Sequence, residues 1–187
     1  MREETDDSER GERLRSGDSV VWEELYRAMY PAMVTYARRR LPAEEARDAV
    51  SETIARALSR PDRLPSLPAK PEAWVFGILR HVVLDMQRRS YRGIRALRRI
   101  PTLSTEWGEV ADNIVSAEEQ GEVRQAFGRL SPRDQEVLEL RVLGGLSAED
   151  AGRVLGMREG AVRNAQYRAV RRLRAQLEHD QDPEGLI

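Results

Sequence analysis

Residues 130–174 read LSPRDQEVLELRVLGGLSAEDAGRVLGMREGAVRNAQYRAVRRLR, and the punctuation of this stretch decides the fold. Ser131 followed by Pro132 and Asp134 marks a helix start, because a serine oxygen accepts a first-turn amide and a first-turn proline lacks only a donor that has no intrahelical partner. The apolar positions Val137, Leu138, Leu140 and Leu143 continue that helix around Arg141, and Gly144 and Gly145 end it. Ser147, with Asp150 three residues on, caps a short second helix that closes at Leu155. Gly156 supplies a tight turn, and a third helix starts near Arg158 with Val162, Ala165, Ala169, Val170 and Leu173 expected to face inward. A capped short helix, a glycine turn and a longer arginine-bearing helix form the layout of a helix-turn-helix, from Ser147 to about Leu173.

In that motif the second helix enters the major groove, so its outward residues meet base edges and its flanks meet phosphates. Here those residues are Arg158, Glu159, Arg163, Asn164, Tyr167 and Arg168. Arginine binds guanine O6 and N7, asparagine binds adenine, and Glu159 either accepts from cytosine or rejects wrong bases. A helical bundle with a merely basic solvent face is the alternative, which the spacing disfavours.

Working outward, no stretch fits the alternation of a strand, whereas three- and four-residue apolar spacing recurs in Trp22, Leu25, Tyr26, Met29 and in Ala46, Val50, Thr53, Ile54, Ala57. Pro31 is expected to open a second helix after Tyr30, and Pro42 a third after Leu41. The four prolines from Pro61 to Pro71 require a loop. A long helix then runs from about Glu72 to Tyr91, with a core stripe of Val75, Leu79, Val82 and Met86. A neighbouring stripe holds Trp74, His81, Asp85, Arg88 and Arg92. Periodicity fades between Ala96 and Val115, and Ser116 with Glu119 reads as a capping box. The expectation is an all-α chain of two small helical domains joined by a flexible linker: an acidic disordered tail 1–15, a four-helix domain 16–95, the linker 96–115, the helix-turn-helix domain 116–177 and a tail 178–187.

Composition narrows the function classes. A chain of 187 residues, 40% hydrophobic, holds one medium core or two small ones, and no apolar run has the length of a membrane span, so no membrane insertion is expected. The acidic MREETDDSER start carries no apolar segment, so a soluble, cytoplasmic protein is expected. With zero cysteines and two well-separated histidines, His81 and His179, neither a disulfide nor a metal site is expected, and no cofactor. No nucleophile–base constellation appears, so no enzymatic activity is expected and there are no candidate catalytic residues. The net charge of -1 conceals segregation: seven arginines lie between Arg80 and Arg99 against Asp85 alone, and six between Arg158 and Arg174 against Glu159 alone. Codon usage in a GC-rich genome accounts for most of the arginine excess, though not for its placement.

Trp74, Phe76, Tyr91, Arg80, Arg88 and Arg89, beside the proline-rich loop, make a stacking and phosphate surface suited to single-stranded DNA. On composition alone Trp74 and Phe76 are more often core residues than stacking platforms. The whole order of elements resembles the extracytoplasmic-function (ECF) sigma factors of the sigma-70 family. EELYRAMYPAMVTYARRRL, EEARDAVSETIARAL and EAWVFGILRHVVLDMQRR are similar to the family's region 2, and residues 130–174 to its region 4. The resemblance implies a subunit that binds core RNA polymerase, directs it to promoter DNA and helps to melt it. It further implies that Asp48, Glu52 and Arg56 dock on the beta-prime clamp helices; on the residues alone an ordinary charged helix surface is the alternative. The 60–70 loop and Trp74, Arg80, His81, Asp85, Arg88 and Arg89 would meet the minus-ten element. The helix-turn-helix would read the minus-thirty-five element and touch the beta flap, the 96–115 linker would thread toward the active-site cleft, and an anti-sigma factor is a further candidate partner.

The chain departs from the family pattern at His81, Leu79, Gly152 and Gln166. Gly152 is expected to cost about 1 kcal/mol of helix stability relative to alanine. Gln166 is either a DNA reader or a boundary residue, and His81 either retunes melting or is structural. Two other classes compete: a helix-turn-helix regulator with a helical sensor domain, disfavoured by the absence of a receiver-like strand–helix alternation, and a sigma mimic, disfavoured by the arginines at 88, 89, 163 and 168.

Overall fold

The structure, a computed structural model, describes residues 2–65, 70–97 and 117–180, with side chains for 8–65, 70–90 and 121–178. Among the described residues every regular element is helical, and the chain divides into two compact units, Met1–Gly108 and Glu109–Ile187. Most of the expected 96–115 linker lies outside the described residues, as do Ser116, the side chains of Tyr91, Arg92 and Glu119, and everything after Asp180.

The first unit holds α1 (Arg2–Arg15), α2 (Ser19–Arg38), α3 (Ala43–Ser59) and α4 (Pro71–Leu97), with a 3-10 turn at Pro61–Arg63 before α4. Two expectations are corrected. Pro31 does not open a helix but sits inside α2. The residues before and after it, Trp22, Leu25, Met29, Met33, Tyr36 and Ala37, share one buried stripe, and that burial outweighs the roughly 3 kcal/mol cost of an interior proline. The carbonyl that loses its donor, four residues back, belongs to the exposed Arg27, on the side of α2 open to solvent.

Residues 2–15 form α1 rather than a disordered tail. Leu14 is fully buried, its carbonyl accepts from the Trp22 indole at 2.9 Å, and Arg10 pairs with Glu72 of α4 at 2.8 Å. One buried leucine and two tertiary links thus hold a helix whose own sequence is mostly charged. Asp18 starts α2 by accepting from the amides of Val20 and Val21. A hydrogen bond from Arg13, together with these amides, holds its carboxyl below the usual range.

The core of this unit joins α2, α3 and α4. Phe76 is 2% exposed and meets Tyr36 edge-on at 6.2 Å, so it is a core residue and not a stacking platform. Ala46, Ala49 and Ala57 let the neighbouring helices approach α3 closely, and the buried Thr53 hydroxyl donates to the Ala49 carbonyl at 2.6 Å. Val75, Leu79 and Val82 of the expected α4 stripe are buried, while Met86 is only half-buried.

The second unit comprises α5 (Ala117–Gly128), α6 (Pro132–Leu138), a π-helical turn (Glu139–Leu143), α7 (Ala148–Leu155) and α8 (Glu159–Asp180). Ser131 and Ser147 accept from the amides of Asp134 and Asp150, and Gly156 turns in the left-handed region at φ 64°. The Gln135 amide lies 3.0–3.1 Å from the carbonyls of Phe127, Gly128 and Leu130 and so caps α5. Arg133 donates to the Leu155 carbonyl at the end of α7, and Arg172 pairs with the buried Asp134, tying α6 to both helices of the motif.

Three details differ from expectation. Val170 is 41% exposed and Leu173 half-buried, so the inward stripe of α8 narrows to Val162, Ala165 and Ala169. Helix α8 continues through Asp180, into the stretch expected as a tail. At Gly152 an alanine Cβ would lie 2.6 Å from the Met157 carbonyl oxygen, so here glycine is required by a close backbone approach rather than being a cost.

Candidate nucleic-acid interface

Helix α8 is held against α5, α6 and α7 through one face, which leaves the opposite face clear. Arg158, Glu159, Arg163, Asn164, Tyr167 and Arg168 are all exposed, with Tyr167 at 65%. At the ideal helical period Arg163, Asn164, Tyr167 and Arg168 span an arc of about 140°. Gly160 lies near the middle of that arc in the first turn, so the backbone there can approach a partner with no side chain between. Arg158 precedes the helix, its carbonyl accepting from Ala161 and Val162. The first-turn amides and the positive end of the dipole lie at this end of the face, directed along the helix axis.

Two features of this face were not foreseen. Arg163 is ion-paired with Glu159 one turn earlier, so the two act as a unit. Arg171 places its guanidinium carbon 5.9 Å from the Tyr167 ring centroid and shares the same arc, a placement visible in its spacing of four from Tyr167 and seven from Asn164. Gln166 is half-buried, and its side-chain oxygen accepts from Arg141 at 2.9 Å.

On α4, Trp74, His81, Asp85, Arg88 and Arg89 fall within an arc of about 100° at the ideal period, whereas Arg80 lies about 80° outside it. Trp74 is half-buried and leans on the buried Trp22, ring centroids 6.4 Å apart at 58°, which holds the indole in place while leaving part of it accessible. The exposed His81 directs Nδ1 at the Gly77 carbonyl at 2.7 Å. A carbonyl only accepts, so the proton sits on Nδ1 and Nε2 faces outward. Asp85 and Arg88 are paired at 3.3 Å. Ahead of the helix, Arg60, Arg63 and Lys70 are exposed and Leu64 is buried, anchoring the start of the loop.

Asp48, Glu52 and Arg56 project from a third surface. They recur at four-residue spacing on the exposed side of α3, with Glu52 and Arg56 paired at 2.7 Å. None of the three is used by the core. Among the described residues no group of histidine, aspartate or glutamate side chains has the makings of a metal site, and no helix is long and apolar enough to cross a membrane.

Comparison with known proteins matches residues 25–93 to the family Sigma-70 region 2 and residues 120–173 to Sigma-70, region 4. The chain is similar to the ECF RNA polymerase sigma factor ShbA of Streptomyces griseus subsp. griseus, 33% identical over 176 residues, covering 87% of this chain and 91% of that protein. It is also similar to the ECF RNA polymerase sigma factor BldN of Streptomyces coelicolor, 30% identical over 171 residues, with 90% of this chain and 65% of that one covered. Among solved structures, CnrH in complex with the cytosolic domain of CnrY aligns at TM-score 0.60 and 25% identity, covering 93% of this chain and 98% of that one. RpoE from Bartonella quintana, in complex with the anti-sigma factor NepR, aligns at TM-score 0.68 and 22% identity over 83% and 95% of the two chains, a likeness of fold. With both sigma regions in order along it and a relative of this identity spanning most of its length, the chain belongs to the sigma-70 family as an ECF RNA polymerase sigma factor.

Proposed function

We propose that this sigma factor divides promoter recognition between its two units. Helix α8 reads the minus-thirty-five element as duplex, and the Trp74 face of α4 with the 60–70 loop engages the minus-ten element as it opens. The observation that carries this division is the contrast between the two faces. The α8 face is long, exposed and rich in groups that pair with base edges. The α4 face centres on an indole propped at an angle by a second indole, which suits stacking on an unpaired base. In this proposal Asp48, Glu52 and Arg56 dock on the beta-prime clamp helices of core polymerase, the second unit also touches the beta flap, and the protein works in the cytoplasm where its polymerase is.

Each unit contributes modest affinity, and the polymerase raises the effective concentration of one at its DNA element once the other is bound. Free protein therefore binds promoters weakly. An anti-sigma factor that competes with core polymerase is a further part of the proposal, supported by the likeness to CnrH, which is seen with the cytosolic domain of CnrY. The test is run-off transcription from genomic templates with purified core polymerase. The expected result is a discrete set of transcripts that depends on this chain, and the absence of any such product overturns the proposal.

A further inference from the structure

Arg141 and Gln166 stand 25 residues apart in sequence, yet the guanidinium Nε donates to the Gln166 side-chain oxygen at 2.9 Å. A second arm of the same guanidinium donates to the carbonyl of Leu146. Leu146 is buried and immediately precedes Ser147, the cap of α7. Its own amide donates to the Leu140 carbonyl at 3.0 Å across Gly145, whose φ of 62° makes the reversal possible. Arg141 itself sits in the π-helical turn, closed by a 2.8 Å bond from the Gly144 amide to the Glu139 carbonyl. One half-buried guanidinium thus joins the end of α6, the residue leading into α7, and the flank of α8.

On α8, Gln166 lies about 40° round the helix from the buried Val162 and about 60° from Arg163 at the ideal period. The contact therefore acts on the border between the packed face and the DNA-facing one. Among the described residues of α8 the buried side chains are Val162, Ala165 and Ala169, small shapes that resist rotation about the helix axis weakly, and the other directional tie, Arg172 to Asp134, lies further along the helix, past Arg168. A charge-assisted hydrogen bond has a direction, and an apolar side chain filling the same space has none. A roll of about 20° moves a side-chain tip at the outer helix radius by about 2 Å, beyond the distance tolerance of a base-edge hydrogen bond.

We propose that Arg141 and Gln166 are a positioning pair that sets the roll of α8, and thereby which bases Arg163 and Tyr167 reach. The pair is a determinant of duplex selectivity that touches no DNA itself. The proposal rests on α8 being the reader of the upstream element.

The test is selection of promoters from a duplex library randomised over both elements, using the full chain assembled with core RNA polymerase. Wild type is expected to return an upstream and a downstream motif. Gln166→Leu and Arg141→Met are each expected to alter base preference within the upstream motif, to weaken binding to the wild-type sequence about tenfold, and to leave the downstream motif unchanged. The double variant is expected to be no worse than either single one, and Gln166→Glu, which keeps the acceptor, to retain the wild-type motif. Selection of the unchanged upstream motif by both single variants overturns the pair, as does additive weakening with no change of motif. Failure of wild type itself to return any upstream motif overturns instead the reader assignment beneath it.

Discussion

Arg163 donates to the carboxylate of Glu159 one turn earlier on α8, so an arginine proposed to read the upstream element already holds an anion. Binding DNA requires it to exchange that partner. Glu159→Gln removes the competitor and a charge that repels phosphate. Affinity for unrelated duplex is expected to rise several-fold at low salt while discrimination between promoters falls. Fluorescence anisotropy with specific and scrambled duplexes, polymerase present, measures both quantities, and a loss of affinity for scrambled duplex would show that the carboxylate only orients the arginine.

Gly152→Ala tests the packing of the motif itself. Helix propensity alone favours alanine by about 1 kcal/mol. The clash with the Met157 carbonyl reverses the sign, because that oxygen belongs to a turn held by the 2.8 Å bond from the Met157 amide back to Gly152. The variant is expected to unfold at lower denaturant concentration by about 1–3 kcal/mol. An increase in the midpoint would mean that the turn moves aside freely.

Leu14→Ala separates a folded α1 from a loose tail. Truncating a fully buried leucine costs about 2–5 kcal/mol, whereas the same change in a disordered tail costs nothing measurable. Chemical denaturation of the full chain decides between them, followed by the fluorescence of Trp22, whose indole donates to the Leu14 carbonyl.

Asp18 gives an acid-side signature. Its carboxyl is held below the ordinary value, first by the hydrogen bond from Arg13, so it adds stability above its unfolded pKa of about 4 and loses it as pH falls through the lower folded value. Asp18→Asn keeps a capping oxygen but does not titrate. The stability gap between wild type and variant is expected to be constant near neutrality and to shrink below about pH 4. A gap of constant size through that range would contradict the assignment.

Arg163→Ala and Trp74→Ala should fail at different stages. Loss of the arginine is expected to weaken promoter binding with opening preserved in the complexes that form. Loss of the indole is expected to leave closed complexes that react poorly with permanganate. Identical footprints from the two variants would remove the division of labour between α8 and α4.

What was legible in the sequence is what local chemistry decides. Ser131, Ser147 and Gly156 announce their roles because a cap or a left-handed turn depends on a few adjacent residues. The exposure of the six proposed reader positions on α8 followed from the helical period once the start of that helix was known. Pro31 misled because a local cost was set against burial contributed by α3 and α4, which are distant in sequence. The α1 segment misled because its apolar content among residues 2–15 is essentially Leu14, and the partner that orders it is Trp22. Gly152 was misjudged because propensity does not see the Met157 carbonyl. The link from Arg141 to Gln166 had no local signature at all, since both are polar residues whose meeting depends on the π-helical turn.

That turn also fixes where the motif can be cut. A chimera that transplants only Ser147–Leu173 into another scaffold leaves behind Arg133, Asp134 and Arg141, the residues that grip Leu155, Arg172, Leu146 and Gln166. The smallest portable cassette therefore includes α6 and also α5, on which α8 packs and whose end Gln135 caps, and exchange of promoter preference between related proteins, by engineering or by recombination, should fail when the border is set at Ser147.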